Sequence, residues 1–198
     1  MKTTPSPGRP RDPEVDRRIA RAALDLFGDA GWAGFAMEQV ARRAGVGKAS
    51  LYLRWSSKEE LLTDAIATSL PHVSDVDTGT LHGDLVELAT QILDLYAGPV
   101  SRAALRLNLD AATIPGIAEH YQATRTAQIQ AARGIVRRGI ARGELPATTS
   151  VTLLLNTVIG GAMMHALGTQ PEKRPALAAD TARQAHRLVD FLMQAVGG

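Results

Sequence analysis

The sequence predicts an all-α protein with a small N-terminal head of short helices and a larger helical body. Three observations predict it. The chain is 45% hydrophobic but only 4% aromatic, and such Ala- and Leu-rich chemistry favours helices over sheets. Apolar residues recur at helical spacing, with no strand-like alternation and no internal repeat. Proline and glycine punctuate the chain at intervals of one helix length.

At 198 residues the chain suits one generous domain or a head plus a body. The expected division is an arm over 1–12, a head over 13–73 and a body over 74–198. The opening MKTTPSPGRPRDPE carries charges and prolines where an export signal needs an apolar core, so a disordered arm is expected. Asp12-Pro13 starts the first helix, with proline tolerated in the first turn. Val15, Ile19, Ala22, Ala23, Leu26, Phe27 and Ala30 make its apolar face, and Gly31 is a plausible stop. Helices over about 37–44 and 48–54 follow, separated by Gly45-Val46-Gly47. Ser56 or Ser57 caps a fourth, because Ser57 and Glu60 have the form of a capping box before Leu61 and Leu62.

Residues 72–82, rich in Asp, Thr and Gly, read as a loose link. Body helices are expected near 81–96, 100–113, 116–142, 150–167 and 176–196. Pro99, Pro115, Gly143 with Pro146, and Pro171 with Pro175 separate them.

Several function classes are excluded. The chain has no cysteine, which removes disulfides, thiol nucleophiles and thiolate metal sites. His72, His82, His120, His165 and His186 are scattered without metal-ligand spacing, and no GxSxG, Walker or Rossmann pattern occurs. No enzyme, cofactor or metal centre is expected. Residues 145–171 carry no Asp, Glu, Lys or Arg, but their apolar heart is only about one bilayer span long. Thr152, Asn156, Thr157 and His165 interrupt it, so a core helix buried on most sides is expected, with no membrane partner and a cytoplasmic location.

The net charge of +2 hides an asymmetry. Between Arg42 and Lys58 stand five basic residues (Arg42, Arg43, Lys48, Arg54, Lys58) and no acid, whereas from Thr63 onward 11 basic residues face 12 acids. A local basic patch is a footprint for phosphate, because neutralising phosphates releases counterions. A solvated helix face would look the same.

The patch falls on a candidate helix-turn-helix at about 36–55. That motif needs two short helices locked at a steep angle, so that the second can enter the major groove. Ala41 is small enough for close contact, and Gly45 can adopt the positive φ of a tight turn. Val40, Ala44, Val46 and Leu51 would form the unit's core. The run MEQVARRAGVGKASLYLRWSSKEELL from Met37 to Leu62, with Leu26-Phe27 and Gly31 before it, resembles the DNA-binding head of the TetR family of transcriptional regulators. The likeness covers residues 13–73. One departure is Ala36, where members usually place a capping Thr or Ser; its absence costs up to about 1 kcal/mol of capping.

The resemblance implies residue roles. Lys48, Ala49, Leu53 and Arg54 would lie on the exposed face of the recognition helix, with Lys48 and Arg54 reaching base edges or phosphates. Ser50 and Tyr52 would contact the DNA backbone, although the Tyr52 ring can also pack the core. Lys58 at a helix start would seat a phosphate. Arg42 and Arg43 are as easily solvated as bound, and Trp55 belongs to the core.

The body matches the family only as a string of helices. The resemblance implies a homodimer on palindromic double-stranded operator DNA, acting as a repressor released by an unidentified small-molecule effector. An effector-independent global or architectural DNA binder is the alternative. Gly160-Gly161 would let another helix come close, either in a dimer bundle or within the chain. An apolar effector cavity is expected on the helices carrying Leu105, Tyr121, Leu155, Met163 and Met164. Asn108, His120, Asn156 or His165 would supply its polar contacts, though all these residues serve equally well in a filled core.

Overall fold

A computed structural model describes residues 12–70, 76–114 and 116–196. The arm over 1–11, residues 72–75 of the expected link, Pro115 and the His120 side chain lie outside the described residues. The head comprises α1 (Pro13–Gly34), α2 (Met37–Ala44), α3 (Lys48–Tyr52) and α4 (Lys58–Ser69). The body comprises α5 (Leu81–Ala97), α6 (Ser101–Asp110), α7 (Ala118–Ala141), α8 (Val151–Gly168), α9 (Arg174–Ala178) and α10 (Thr181–Val196). Among the described residues there is no strand.

Local chemistry sets these boundaries. The Asp12 side chain accepts from the Glu14 N–H, with Pro13 just inside the start of α1, the arrangement that satisfies an orphan donor where proline has none to give. Gly31 adopts φ 66° and ψ −175°. It kinks α1 and does not end it, and one further turn runs to Gly34. The Ser57 hydroxyl accepts from the Glu60 N–H at 3.1 Å. Glu60 reaches back one residue further than the usual box, accepting the Ser56 N–H and hydroxyl at 2.7 and 2.6 Å. The last expected helix breaks at Ala179-Asp180, giving α9 and α10.

Two apolar cores form. One gathers α1 to α4 around Ile19, Phe27, Phe35, Leu51 and Leu61; the other packs α5 against α7, α8 and α10 around Leu85, Leu88, Ile135, Val158 and Val189. The division of packing runs through α6: Val100, Ala103 and Leu107 join the head core, while Ala104 joins the body core.

At the far end of the body the buried Asp84 carboxylate accepts the Thr78 N–H and hydroxyl at 2.6 and 2.8 Å. Arg142 approaches its other oxygen at 3.5 Å, and Arg138 donates to the Val76 carbonyl. The contacts tie the segment before α5 to the end of α7.

The apolar helix α8 departs from expectation. Only 28% of it is buried, through Leu154, Leu155, Val158, Ala162 and Ala166. The opposite stripe, Leu153, Thr157, Gly160 and Met164, returns once per turn, with Leu153 at 67% and Met164 at 61% exposure. The helix is sandwiched on one side only. Gly161 faces Leu188 of α10, whose side chain lies 3.2 Å from where a Cβ would stand, so its smallness serves an intrachain contact. Gly160 meets open space.

Candidate nucleic-acid interface and body cavity

The turn between α2 and α3 is built as its sequence requires. Gly45 sits in the left-handed region at φ 66° and ψ 38°, a conformation that costs other residues steric strain. The Val46 N–H then returns to the Ala41 carbonyl at 3.0 Å, and Val40, Ala41, Ala44 and Leu51 pack beneath. Ala36 caps α2 with no side-chain hydrogen bond, so the capping group is absent as the sequence implies.

Helix α3 is anchored by Leu51, fully buried, and by Trp55, whose indole N–H donates to Asp64 at 2.9 Å. Lys48, Ala49, Tyr52 and Leu53 are exposed, Leu53 at 87%. Arg54 is not on that open face. Its Nε donates to Asp16 of α1 at 2.8 Å, and its Nη1 donates to the Ser50 hydroxyl at 2.6 Å and the Ser50 carbonyl at 3.0 Å. Side-chain exposures of 19% and 23% for Arg54 and Asp16 mark a half-buried brace between α1 and α3.

Three more cations of the basic patch, Lys48, Arg43 and Lys58, are also partnered. Lys48 pairs with Glu38 of α2 at 2.7 Å, and the Tyr52 hydroxyl donates to the same carboxylate at 3.2 Å. The hydrogen bond from Lys48 holds the Glu38 carboxyl below its usual range and raises the Lys48 ammonium. Arg43 pairs with Asp29 at 3.0 Å. The Lys58 ammonium stands 3.8 Å over the Trp32 ring, a cation–π contact at the positive end of α4. Sequence spacing could not show these pairings, because Asp16, Asp29 and Glu38 lie on earlier helices outside the acid-free window.

A cavity of about 450 Å³ opens between α4, α5, α6, α7 and α8. Of the residues expected there, Asn108, Tyr121 and Asn156 line it. Leu105, Leu155 and Met163 do not, being packed in or against the body core, and Met164 and His165 face outward on α8. The expectation chose residue types by helix and not by helical face, and α8 turns a different face to the cavity. Ile66 and Leu70 of α4, Ile92, Leu95 and Tyr96 of α5, and Thr124, Arg125, Gln128 and Ile129 of α7 complete much of the wall. The spacing Tyr121, Arg125, Gln128 and Ile129 marks one face of α7 and was the available signal.

The cavity carries a polar chain. The Tyr121 hydroxyl donates to the Asn108 Oδ1 at 3.1 Å, and the Asn108 amide donates to the Tyr96 oxygen at 2.6 Å. Arg125, one turn further along α7 than Tyr121, lines the same cavity. Burial pushes both phenols above their ordinary range, so they stay protonated at neutral pH.

Comparison with known proteins gives the same reading twice. Residues 19–65 match the family model "Bacterial regulatory proteins, tetR family", and residues 75–190 match "Tetracyclin repressor-like, C-terminal domain". The chain is 32% identical to the HTH-type transcriptional regulator AqdR of Rhodococcus erythropolis, over 75% of this chain and 71% of that protein. It is 27% identical to the HTH-type transcriptional regulator YdeS of Bacillus subtilis, over 91% and 92%. Among solved structures, PfmR of Thermus thermophilus, a TetR family regulator, superposes with a TM-score of 0.68 at 21% identity, covering 87% of this chain and 93% of that one. The regulator FadR of Bacillus subtilis, solved in complex with stearoyl-CoA, superposes at 0.63 and 17% identity, covering 89% and 96%. The matched head and body, together with the helix-turn-helix built on Gly45, make this chain a member of the TetR family of helix-turn-helix transcriptional regulators.

Proposed function

We propose that the protein is a cytoplasmic, dimeric repressor that a small molecule releases from its operator. The observation carrying this reading is that α4 and α6 belong to both halves of the molecule. Leu61, Leu62 and Ala65 of α4 are in the head core, while Thr63, Ile66, Ala67 and Leu70 line the cavity. On α6, Arg106 donates to the Gly28 carbonyl of α1 at 3.3 Å and Arg102 pairs with Asp29 at 2.9 Å, while Ala104, Leu107 and Asn108 face the cavity. A ligand favouring one placement of α4 and α6 therefore favours one placement of the head.

In the DNA-bound dimer, Lys48, Ala49 and Leu53 meet base edges in the major groove. Ser50 and Tyr52 donate to phosphate oxygens, and Lys58 adds a cation beside them. Arg54 supports this face from behind. The exposed stripe of α8 and Phe191 of α10, 69% exposed, form the face that a second copy covers, setting two recognition helices on one palindrome. The test is to select the DNA sequence bound by the purified protein, then screen metabolites for compounds that both raise the melting temperature and displace that duplex. A protein that no small molecule displaces from its selected site is an effector-independent DNA binder.

A further inference from the structure

We propose that the cavity takes an apolar molecule bearing one carboxylate, with Arg125 as the anion's partner at the mouth and Tyr121 as the residue that positions it. The inference rests on the cavity being the effector site and adds the chemical class of its ligand. Three observations carry it. Arg125 is the one charged side chain among the described lining residues, so the site holds a cation and no acid. No carboxylate among the described residues pairs with Arg125, whereas Arg43, Arg54, Arg102, Arg138 and Arg142 each have an acidic partner. The rest of the wall is dominated by aliphatic groups such as Ile66, Leu70, Ile92 and Ile159, which favour an apolar body.

The polar chain ends one helical turn from the cation. The Tyr121 hydroxyl spends its proton on Asn108, and the Asn108 amide spends its two N–H groups on the Tyr96 oxygen and the Ala104 carbonyl. Tyr121 therefore has only lone pairs left to offer a donor, and Arg125, one turn along α7, keeps its N–H fork for a planar anion. A single guanidinium neutralises a monoanion. A phosphate monoester would bring a second negative charge with no second cation to meet it.

The experiment is calorimetry on the full chain with four probes of one skeleton: 6-phenylhexanoate, 6-phenylhexanamide, 6-phenylhexylamine and 6-phenylhexyl phosphate. The carboxylate is expected to bind at least about tenfold tighter than the amide, as a charge-assisted hydrogen bond requires, with the amine and the phosphate weaker still. Arg125→Gln should erase the preference for acid over amide while leaving amide affinity unchanged, and Tyr121→Phe should narrow that preference. The proposal is overturned if amide, amine or phosphate binds as tightly as the acid, if Arg125→Gln lowers acid and amide equally, or if the acid does not bind at about 1 mM. Displacement of the selected duplex is measured separately. An acid that binds through Arg125 without displacing DNA leaves the ligand class standing and removes the effector reading; displacement by the amine or amide alone does the reverse.

Discussion

The Glu38 carboxylate holds the Lys48 ammonium at 2.7 Å, and it also accepts the Tyr52 hydroxyl at 3.2 Å. A single acid on α2 thus occupies two exposed groups of α3 that the proposed interface assigns to DNA, and on that proposal binding exchanges the carboxylate for phosphate or base edges. Glu38→Gln is therefore expected to tighten binding several-fold on operator and scrambled duplexes alike, and to steepen the salt dependence by up to roughly one unit, because Lys48 then adds a full charge. Titrations at several salt concentrations check this. Weaker binding by the variant would mean that Glu38 instead holds Lys48 in its DNA-binding position.

Arg54 should behave as a brace. Its bonds to Asp16 and Ser50 place it behind α3, so Arg54→Ala is expected to lower stability by about 1.5 to 3 kcal/mol, the scale of hydrogen bonds to charged groups. Affinity should fall in equal proportion on operator and scrambled DNA. Lys48→Ala should instead weaken the operator by about 1 to 3 kcal/mol and random DNA much less. An Arg54→Ala loss confined to the operator would return that residue to base readout.

The sequence made the helices legible because their signals are local: Asp12-Pro13, Ser57 with Glu60, Gly45, and apolar residues at helical spacing. It made the exposed set Lys48, Ala49, Tyr52 and Leu53 legible through resemblance. It could not show that Arg54 turns back to Asp16, 38 positions earlier, since such a pairing depends on how α1 crosses α3. The cavity shows the same limit. Asn108, Tyr121 and Asn156 are legible as polar residues on the right helices, whereas Arg125 is not, because only the packing of α7 against α5 and α8 sets which of its faces lines the cavity.

Gly31 joins backbone strain to the head–body contact. Its φ of 66° and ψ of −175° belong to a region essentially reserved for glycine, and a Cβ there would stand 2.7 Å from Nη1 of Arg106. Gly31→Ala should destabilise the protein by about 1 to 3 kcal/mol. Arg106→Ala removes the clash but not the strain, so most of the loss should persist in the double variant. Chemical denaturation of the four proteins separates the terms. Full recovery in the Arg106→Ala background would make the clash the whole effect.

The cap of α4 predicts a pH dependence. Ser57→Ala removes the acceptor for the Glu60 N–H and should cost about 1 kcal/mol at pH 7. Hydrogen bonds from the Ser56 hydroxyl and N–H hold the Glu60 carboxyl below its ordinary value. A depressed carboxyl contributes stability that is complete above the unfolded value of about 4.3 and is lost as pH falls through the folded value. The melting-temperature gap between wild type and Glu60→Gln should thus be constant near neutrality and close below about pH 4. A gap that persists unchanged at pH 2.5 would show that the carboxylate's charge contributes nothing there.

The dimer prediction rests on what the single chain leaves uncovered. Leu153 and Met164 on α8 and Phe191 on α10 are 67%, 61% and 69% exposed, and they lie beside a helix that carries no charged side chain. Such a surface is unfavourable in water and is the kind a second copy covers. Leu153→Glu with Phe191→Glu should leave the fold of one chain intact, because neither side chain supports either core. Introducing buried, unpaired carboxylates at the interface should nevertheless split the dimer. Sedimentation at micromolar concentration should give a dimer for the wild type and a monomer for the double variant, with unchanged helical circular dichroism. Operator affinity should then fall by roughly a hundredfold or more, since two linked recognition helices gain from effective concentration and single ones do not. A wild type that sediments as a monomer, or a double variant that remains a dimer, would place the contact between copies on another face.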